Sequence, residues 1–271
     1  MSFPSSSDRT DHAAQRREWD ARSYHAISSP QFAWGRRSLA TLSLRGDEQV
    51  LDAGAGTGRL TAHLLGRLPR GRAVAVDRSI NMVRVAGETL AGFPNSEVVA
   101  ADLSNLPFVE AFDVVFSAAT FHWVPDHDRL FASLYSVLRP GGQLHAQCGG
   151  GRNIERIHRR AHELMAMPDF APYFISWQDP WEFASAPVTR ERLERAGFRE
   201  VHTDVEETPV TFPDARSFRA FIKTVVLRPF LAFIPAEELR DAFLDRIVEM
   251  ASNDNPAFTL DYWRLNMSAR R

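Results

Sequence analysis

A chain of 271 residues is long for one minimal domain and short for two, which implies one α/β core carrying an inserted cap. Hydrophobic residues make up 44% and charged residues 24%, and a net charge of −2 excludes a bulk positive field for holding nucleic acid. Met1 to Ala21 has no apolar signal-like stretch, no run is long enough to span a membrane, and the single cysteine, Cys148, excludes an intrachain disulfide, so a cytoplasmic chain is expected.

Residues 1–14 are polar and charged and are expected to be a flexible tail. Residues 15–45 carry N-terminal helices, with Trp19 to Leu44 helical in two pieces broken near Ser28-Ser29-Pro30, because proline disfavours helix in the residue before it. Strands and helices then alternate through 46–150. Buried strands are expected at Gln49–Ala53, Ala73–Val76, Glu97–Ala100, Phe112–Phe116 and Leu144–Cys148. Helices fall between them at Gly58–Leu68, Ile80–Leu90 and Arg129–Leu138, the last closed by Pro140-Gly141-Gly142. This rhythm implies right-handed βαβ units and a parallel sheet with helices on both faces.

After Gly151 the rhythm changes. Residues 151–188 and 213–256 read as a cap: a helix at Ile154–Met165, an aromatic, proline-interrupted lid to Pro187, and amphipathic helices at Ser217–Val226 and Ala236–Met250. Residues 189–212 and 257–271 are expected to complete the core sheet, through a helix at Thr189–Ala196 and strands at Glu200–Phe212 and Leu260–Met267.

The strongest chemical signal is Val50 to Gly58, where a strand ends, the chain turns on glycines and a helix starts. The spacing is G-x-G-x-G rather than the dinucleotide G-x-G-x-x-G, and Asp52 precedes the glycines by two. An acidic residue there disfavours a pyrophosphate and suits a ligand bearing an ammonium group. Asp77 ends the second strand, where a carboxylate accepts from ribose hydroxyls, and Asp102-Leu103 ends the third, where it accepts from an adenine amino group. Each aspartate alone would read as a turn or helix-cap residue. Together, at successive strand ends, they favour a nucleoside site. His158 and His162 have metal-like spacing, but no third ligand accompanies them, and no metal site is expected.

Asp52 to Gly58, Asp77, Asp102-Leu103 and Leu138 to Gly142 resemble the ordered motifs of class I S-adenosylmethionine (SAM) dependent methyltransferases. Phe121-His122-Trp123-Val124-Pro125-Asp126-His127, Leu227-Arg228-Pro229 and Ala269-Arg270-Arg271 are similar to stretches of the trans-aconitate methyltransferase family. The resemblance implies a Rossmann-like sheet of seven strands, mostly parallel with the last antiparallel. It implies a SAM contact set of Tyr24, Asp52, Ala53, Gly54, Gly56, Asp77, Arg78, Met82, Ala101, Asp102, Leu103, Ser117 and Ala118. Gln31 and Trp123 would donate to an acceptor carboxylate, Arg228 would pair with a second one, and His122 would be a substrate contact or a base. The reaction implied is carboxylate O-methylation of a small-molecule acceptor. Methylation of a phenol, amine or carbon centre is the alternative, and a nicotinamide dehydrogenase or a non-catalytic SAM-binding module is a reading of another class. The aromatic lid suggests an acceptor larger or less polar than a tricarboxylate. Nothing chooses between monomer and homodimer.

Overall fold

The computed structural model describes residues 18–271, so the expected tail lies outside the described residues. Helix α1 (Ala21–Ile27) is capped by the Asp20 carboxylate, which accepts from the Ser23 N–H, and α2 (Ser29–Thr41) takes Pro30 into its first turn, where no N–H is needed. The alternating core follows as β1 (Gln49–Ala53), α3 (Arg59–Leu65), β2 (Arg72–Asp77), α4 (Ile80–Leu90), β3 (Ser96–Ala100), β4 (Phe112–Ala118), α5 (His127–Val137) and β5 (Leu138–Gly149). Next come α6 (Glu155–Met165), α7 (Ala186–Arg195), β6 (Arg199–Glu207), β7 (Val210–Thr211), α8 (Ala215–Phe221), α9 (Arg228–Leu231), α10 (Glu237–Ser252), β8 (Thr259–Leu260) and β9 (Trp263–Arg270).

The main sheet has seven strands in the order β3-β2-β1-β4-β5-β9-β6. Strands β1 to β5 are mutually parallel, and β9 enters between β5 and β6 antiparallel to both. Its start therefore lies at the same edge as the ends of the parallel strands, with Arg264 opposite Gly149. The strand side chains split between two apolar layers. Leu51, Val74, Val76 and Val115 pack with Leu130, Phe131 and Leu134 of α5 on one face. Val50, Ala73, Ala75 and Val114 pack with Leu39, Leu64 and Leu90 on the other. A third core, built on Phe170, Phe218, Phe221, Phe230, Phe243 and Ile247, belongs to the cap and reaches the sheet through Trp34 and Tyr262.

Several expected boundaries move, three of them at a proline. Helix α5 ends at Val137, and Pro140-Gly141-Gly142 lies inside β5, where the pairing with β4 shifts register. Proline lacks an N–H and pushes the residue before it toward extended backbone. Helix α7 starts at Ala186 rather than Thr189, because Ser185 caps it and Pro187 fits its first turn. The strand expected over Glu200–Phe212 breaks around Pro209, so Val210–Thr211 leaves the main sheet and pairs with Thr259–Leu260 in a separate ribbon. The last strand splits likewise, and the helix expected to Val226 ends in a π-helical turn at Ile222–Val226.

Strand order reverses between β1 and β4, and the turn after β1 fills that point. Gly54 has φ +80°, and a Cβ there would lie 2.1 Å from the Thr120 methyl, while Thr120 Oγ1 donates to the Gly54 carbonyl at 3.0 Å. Gly54→Ala is therefore expected to destabilise the protein by about 2–4 kcal/mol, from overpacking plus a strained backbone; urea unfolding followed by fluorescence checks it.

Candidate functional site

One cavity runs along the carboxyl edge of the sheet, under α1, α2 and the cap. On the β1–β3 side it is a polar cradle. Asp52 is buried and its Oδ2 accepts from Thr61 Oγ1 at 2.7 Å. Burial, opposed by that hydrogen bond and reinforced by the charge of Asp77, pushes its carboxyl up to about 7. Gly56 sits at φ +56° with nothing within 4 Å of where a Cβ would be, so bare main chain faces open space. Asp77 is held from both sides, with Oδ2 accepting from the Gly56 N–H at 3.0 Å and Oδ1 from the Ser79 N–H at 2.9 Å. Each oxygen keeps a lone pair for a further donor. Burial raises its pKa, and the two amides oppose that rise. Asp102 caps the short turn Leu103–Asn105, accepting from the Ser104 N–H at 2.8 Å. Arg78, Met82, Leu103, Ala118 and Tyr24 also line the cavity.

Three of the expected contacts stand behind the wall. Ser117 is buried and donates to the Ala53 carbonyl at 2.6 Å, a tie that holds the end of β1 against β4. Ala101 donates its N–H to the Asp77 carbonyl at 3.1 Å. Ala53, Ala101 and Ser117 therefore shape the cradle without lining it.

The β4–β5–β9 side is walled by Gln31, His122, Trp123 and residues of the cap and β9. His122 follows β4 in the turn Phe121–Trp123, and its Nδ1 accepts from the Gly149 N–H at 3.2 Å. The proton of the neutral ring is thereby placed on Nε2, so that nitrogen is a donor. Burial, then the nearby charges of Arg264 and His127, hold His122 well below its usual 6.5. Gln31 Nε2 donates to the Tyr262 hydroxyl at 3.3 Å. Trp123 packs against Trp19 and Trp181, with ring centres 5.2 and 5.3 Å away.

Arg228, expected to pair with an acceptor carboxylate, does not line the cavity. Its guanidinium stacks over Trp19 at 4.2 Å, and Nη1 donates to the Glu18 carbonyl at 3.0 Å. It clasps the N-terminal segment to the cap.

The residue that sequence reasoning missed is Arg264. It lines the cavity at only 2% exposure, stacks over Trp34 at 4.7 Å, and leaves Nε and Nη2 without hydrogen-bond partners. No carboxylate among the described residues pairs with it. Its only signal was an arginine beside Leu265 in an apolar strand, in a chain where nearly every basic residue is arginine. Asn153, Arg59 and Tyr262 were likewise unmarked yet line the cavity. No group of three metal-ligating side chains occurs among the described residues, and none of their helices is long and apolar enough to cross a membrane.

Strand order, glycine cradle and strand-end carboxylates define a class I SAM-dependent methyltransferase. The methyltransferase domain family matches residues 50–142. The chain is 36% identical over 218 residues to a trans-aconitate 2-methyltransferase of Deinococcus radiodurans, covering 79% of this chain and 83% of that one. It is 29% identical over 238 residues to one from Rhodopseudomonas palustris, covering 84% and 87%. It belongs to the trans-aconitate 2-methyltransferase family. A phosphoethanolamine N-methyltransferase of Haemonchus contortus, solved with S-adenosyl-L-methionine, shares the fold at a TM-score of 0.58 and 20% identity, over 93% of this chain and 56% of that one. The nicotinamide alternative has no support left.

The His122 geometry has a direct check. Nitrogen-15 NMR of the histidine rings is expected to show His122 still neutral, with the proton on Nε2, at pH values where an ordinary exposed imidazole is already protonated.

Proposed function

We propose that this enzyme transfers a methyl group from SAM to a carboxylate oxygen of a small-molecule acid. The observation that carries the reading is Arg264, a buried guanidinium in the cavity wall with two N–H-bearing atoms unsatisfied and no ion-pair partner among the described residues, its cross-strand neighbour Glu206 pairing with Arg37 instead. An unpaired buried charge is destabilising by several kcal/mol, so a protein retains one where a ligand supplies the counter-charge.

The cradle fits the donor. Gly56 offers open main chain, Asp52 suits the methionine ammonium, Asp77 the ribose hydroxyls, and Asp102 the adenine amino group, with Met82 and Leu103 flanking the ring. When bound, SAM supplies an electrophilic methyl group on sulfur. Arg264 lies three strands away from β1, across β4 and β5, on the side left for the acceptor. Paired with Arg264, an acid stays ionised, as it already is in water at pH 7 with a pKa near 4. No general base is needed. His122 Nε2–H, Trp123 and Gln31 add neutral donors that orient the carboxylate. Positioning of this kind is worth up to roughly 7–11 kcal/mol of a barrier. A base at His122 would serve a phenol or amine acceptor, but the lone pair of its neutral ring is already engaged by Gly149.

Two outcomes test this. Arg264→Met is expected to lower kcat/KM for an acid by about 10²–10³-fold, while leaving affinity for S-adenosylhomocysteine within about twofold and raising the melting temperature, because an unsatisfied buried charge is gone. Calorimetry and turnover assays read all three. If the affinity for S-adenosylhomocysteine collapses instead, Arg264 serves the methionine carboxylate and the acid reading fails.

The second concerns Asp52. Its carboxyl, pushed up to about 7, must be ionised to attract an ammonium group. Affinity for S-adenosylhomocysteine is therefore expected to fall as pH drops below about 7, by up to about tenfold per unit, with a proton released on binding at pH 6. Titrations in buffers of different ionisation enthalpy measure that proton, and Asp52→Asn should abolish its release.

A further inference from the structure

We infer that Asn153 is a second contact for the acceptor's carboxylate, its side-chain amide donating to the group whose charge Arg264 neutralises. The inference rests on the carboxylate reading and starts from a glycine. Gly149 closes β5 without the positive φ that would by itself call for a glycine. What calls for one is a close approach: a Cβ there would lie 2.6 Å from Asn153 Nδ2 and 2.9 Å from the Phe183 ring. The Asn153 amide thus takes the place of the missing side chain. Its orientation is fixed as well. Oδ1 accepts from the Trp263 N–H at 3.0 Å, and a backbone N–H can only donate, so the NH2 end is the one turned to Gly149. Asn153 is buried at 3% exposure, lines the cavity, and has no hydrogen-bond partner for Nδ2 among the described residues.

The same glycine locates Arg264. Gly149 and Arg264 stand opposite each other in the β5–β9 ladder. Directly opposite residues of an antiparallel pair send their side chains from the same face of the sheet, with Cβ positions about 4.5–5.5 Å apart. The Arg264 side chain therefore leaves the sheet beside the position that the Asn153 amide fills. His122 meets a third side of Gly149, its Nδ1 accepting the Gly149 N–H at 3.2 Å. Ring, amide and guanidinium, all lining the cavity, so gather around one point of β5 that carries no side chain. The acceptor atoms of His122 and Asn153 are both turned to main-chain N–H groups, which leaves their N–H donors for a ligand. A carboxylate, with one negative charge and two oxygens rich in lone pairs, can accept from all three, whereas an ammonium group can accept from none. Arg264 supplies the charge. Asn153 supplies direction, because its amide is anchored to Trp263, the residue before Arg264 on the strand.

Substitution separates the two ends of this amide. Asn153→Asp keeps an oxygen for the Trp263 N–H, removes the donor and adds a negative charge. Asn153→Ala removes anchor and donor together. The purified full chain, both variants and Arg264→Met, each loaded with S-adenosylhomocysteine, are titrated calorimetrically with trans-aconitic acid. Affinity for the acid is expected to fall by about tenfold in Asn153→Ala and by about 100-fold or more in Asn153→Asp, from the lost donor and the added repulsion. Asn153→Asp should nevertheless melt no lower than Asn153→Ala, with S-adenosylhomocysteine bound by both within about twofold of the wild type as proof of folding. A role confined to anchoring Trp263 predicts the reverse order of acid affinity, Asn153→Asp above Asn153→Ala, and that order overturns the inference. Should Asn153→Ala not fold, acid affinity of Asn153→Asp within about threefold of the wild type overturns it instead. In both cases loss of acid binding in Arg264→Met leaves the carboxylate reading standing. A wild type that binds no acid, or an Arg264→Met variant that binds it unchanged, overturns both.

Discussion

The reversal of strand order between β1 and β4 is the constraint on which everything else in this structure depends. To one side the connections run to β2 and β3, to the other to β4, β5 and β9. Helices cover both faces of a parallel sheet, but at the reversal they diverge, and the carboxyl ends of β1 and β4 are left facing a crevice. The glycine turn, the strand-end aspartates and the turn bearing His122 are all answers to how a chain can leave the sheet at that place. The two halves of the cavity inherit opposite chemistry from it: backbone and carboxylates over β1–β3, one guanidinium and aromatic rings over β4–β9.

The cap completes the site by excluding water rather than by adding charge. Its core is rich in phenylalanine, and it touches the sheet through Trp34, over which Arg264 stacks, and Tyr262, which packs edge-on against Trp34. The main chain breaks between β8 and β9 at Asp261-Tyr262, where the Asp261 carboxylate accepts from the Arg156 N–H at 3.0 Å. That break lets Tyr262 turn toward Gln31. A low-dielectric setting strengthens any attraction between Arg264 and an anion that enters.

The core was legible in the sequence because its signals are local. The strand Gln49–Ala53 and the helix Ile80–Leu90 have the bounds that apolar runs and caps indicate. The seven-strand sheet with its antiparallel strand followed from the motif resemblance. The prolines were ambiguous because the residue has three uses: Pro187 begins a helix, Pro140 sits in a bulged strand and Pro209 ends a ladder. Local composition does not separate them. Arg264 was illegible for a different reason. Its burial arises only when β9 inserts between β5 and β6, from the far end of the chain. Arg228 shows the converse: a residue singled out by family likeness, whose direction only the folded chain reveals.

The segment just before α1 joins these halves in a way neither shows alone. Glu18 accepts from the Ser79 hydroxyl at 2.8 Å and from the Asn81 N–H at 3.3 Å, at the start of α4 beside Asp77. The same residue's carbonyl receives Arg228 of the cap, and Trp19 next to it lines the cavity beside Trp123. One short stretch of chain thus ties the start of α4 to the cap and forms part of the cavity wall. Displacing it to admit one ligand releases contacts that shape the site of the other. Were it displaced by one ligand, linkage would require each ligand to alter its neighbour's affinity by the same factor.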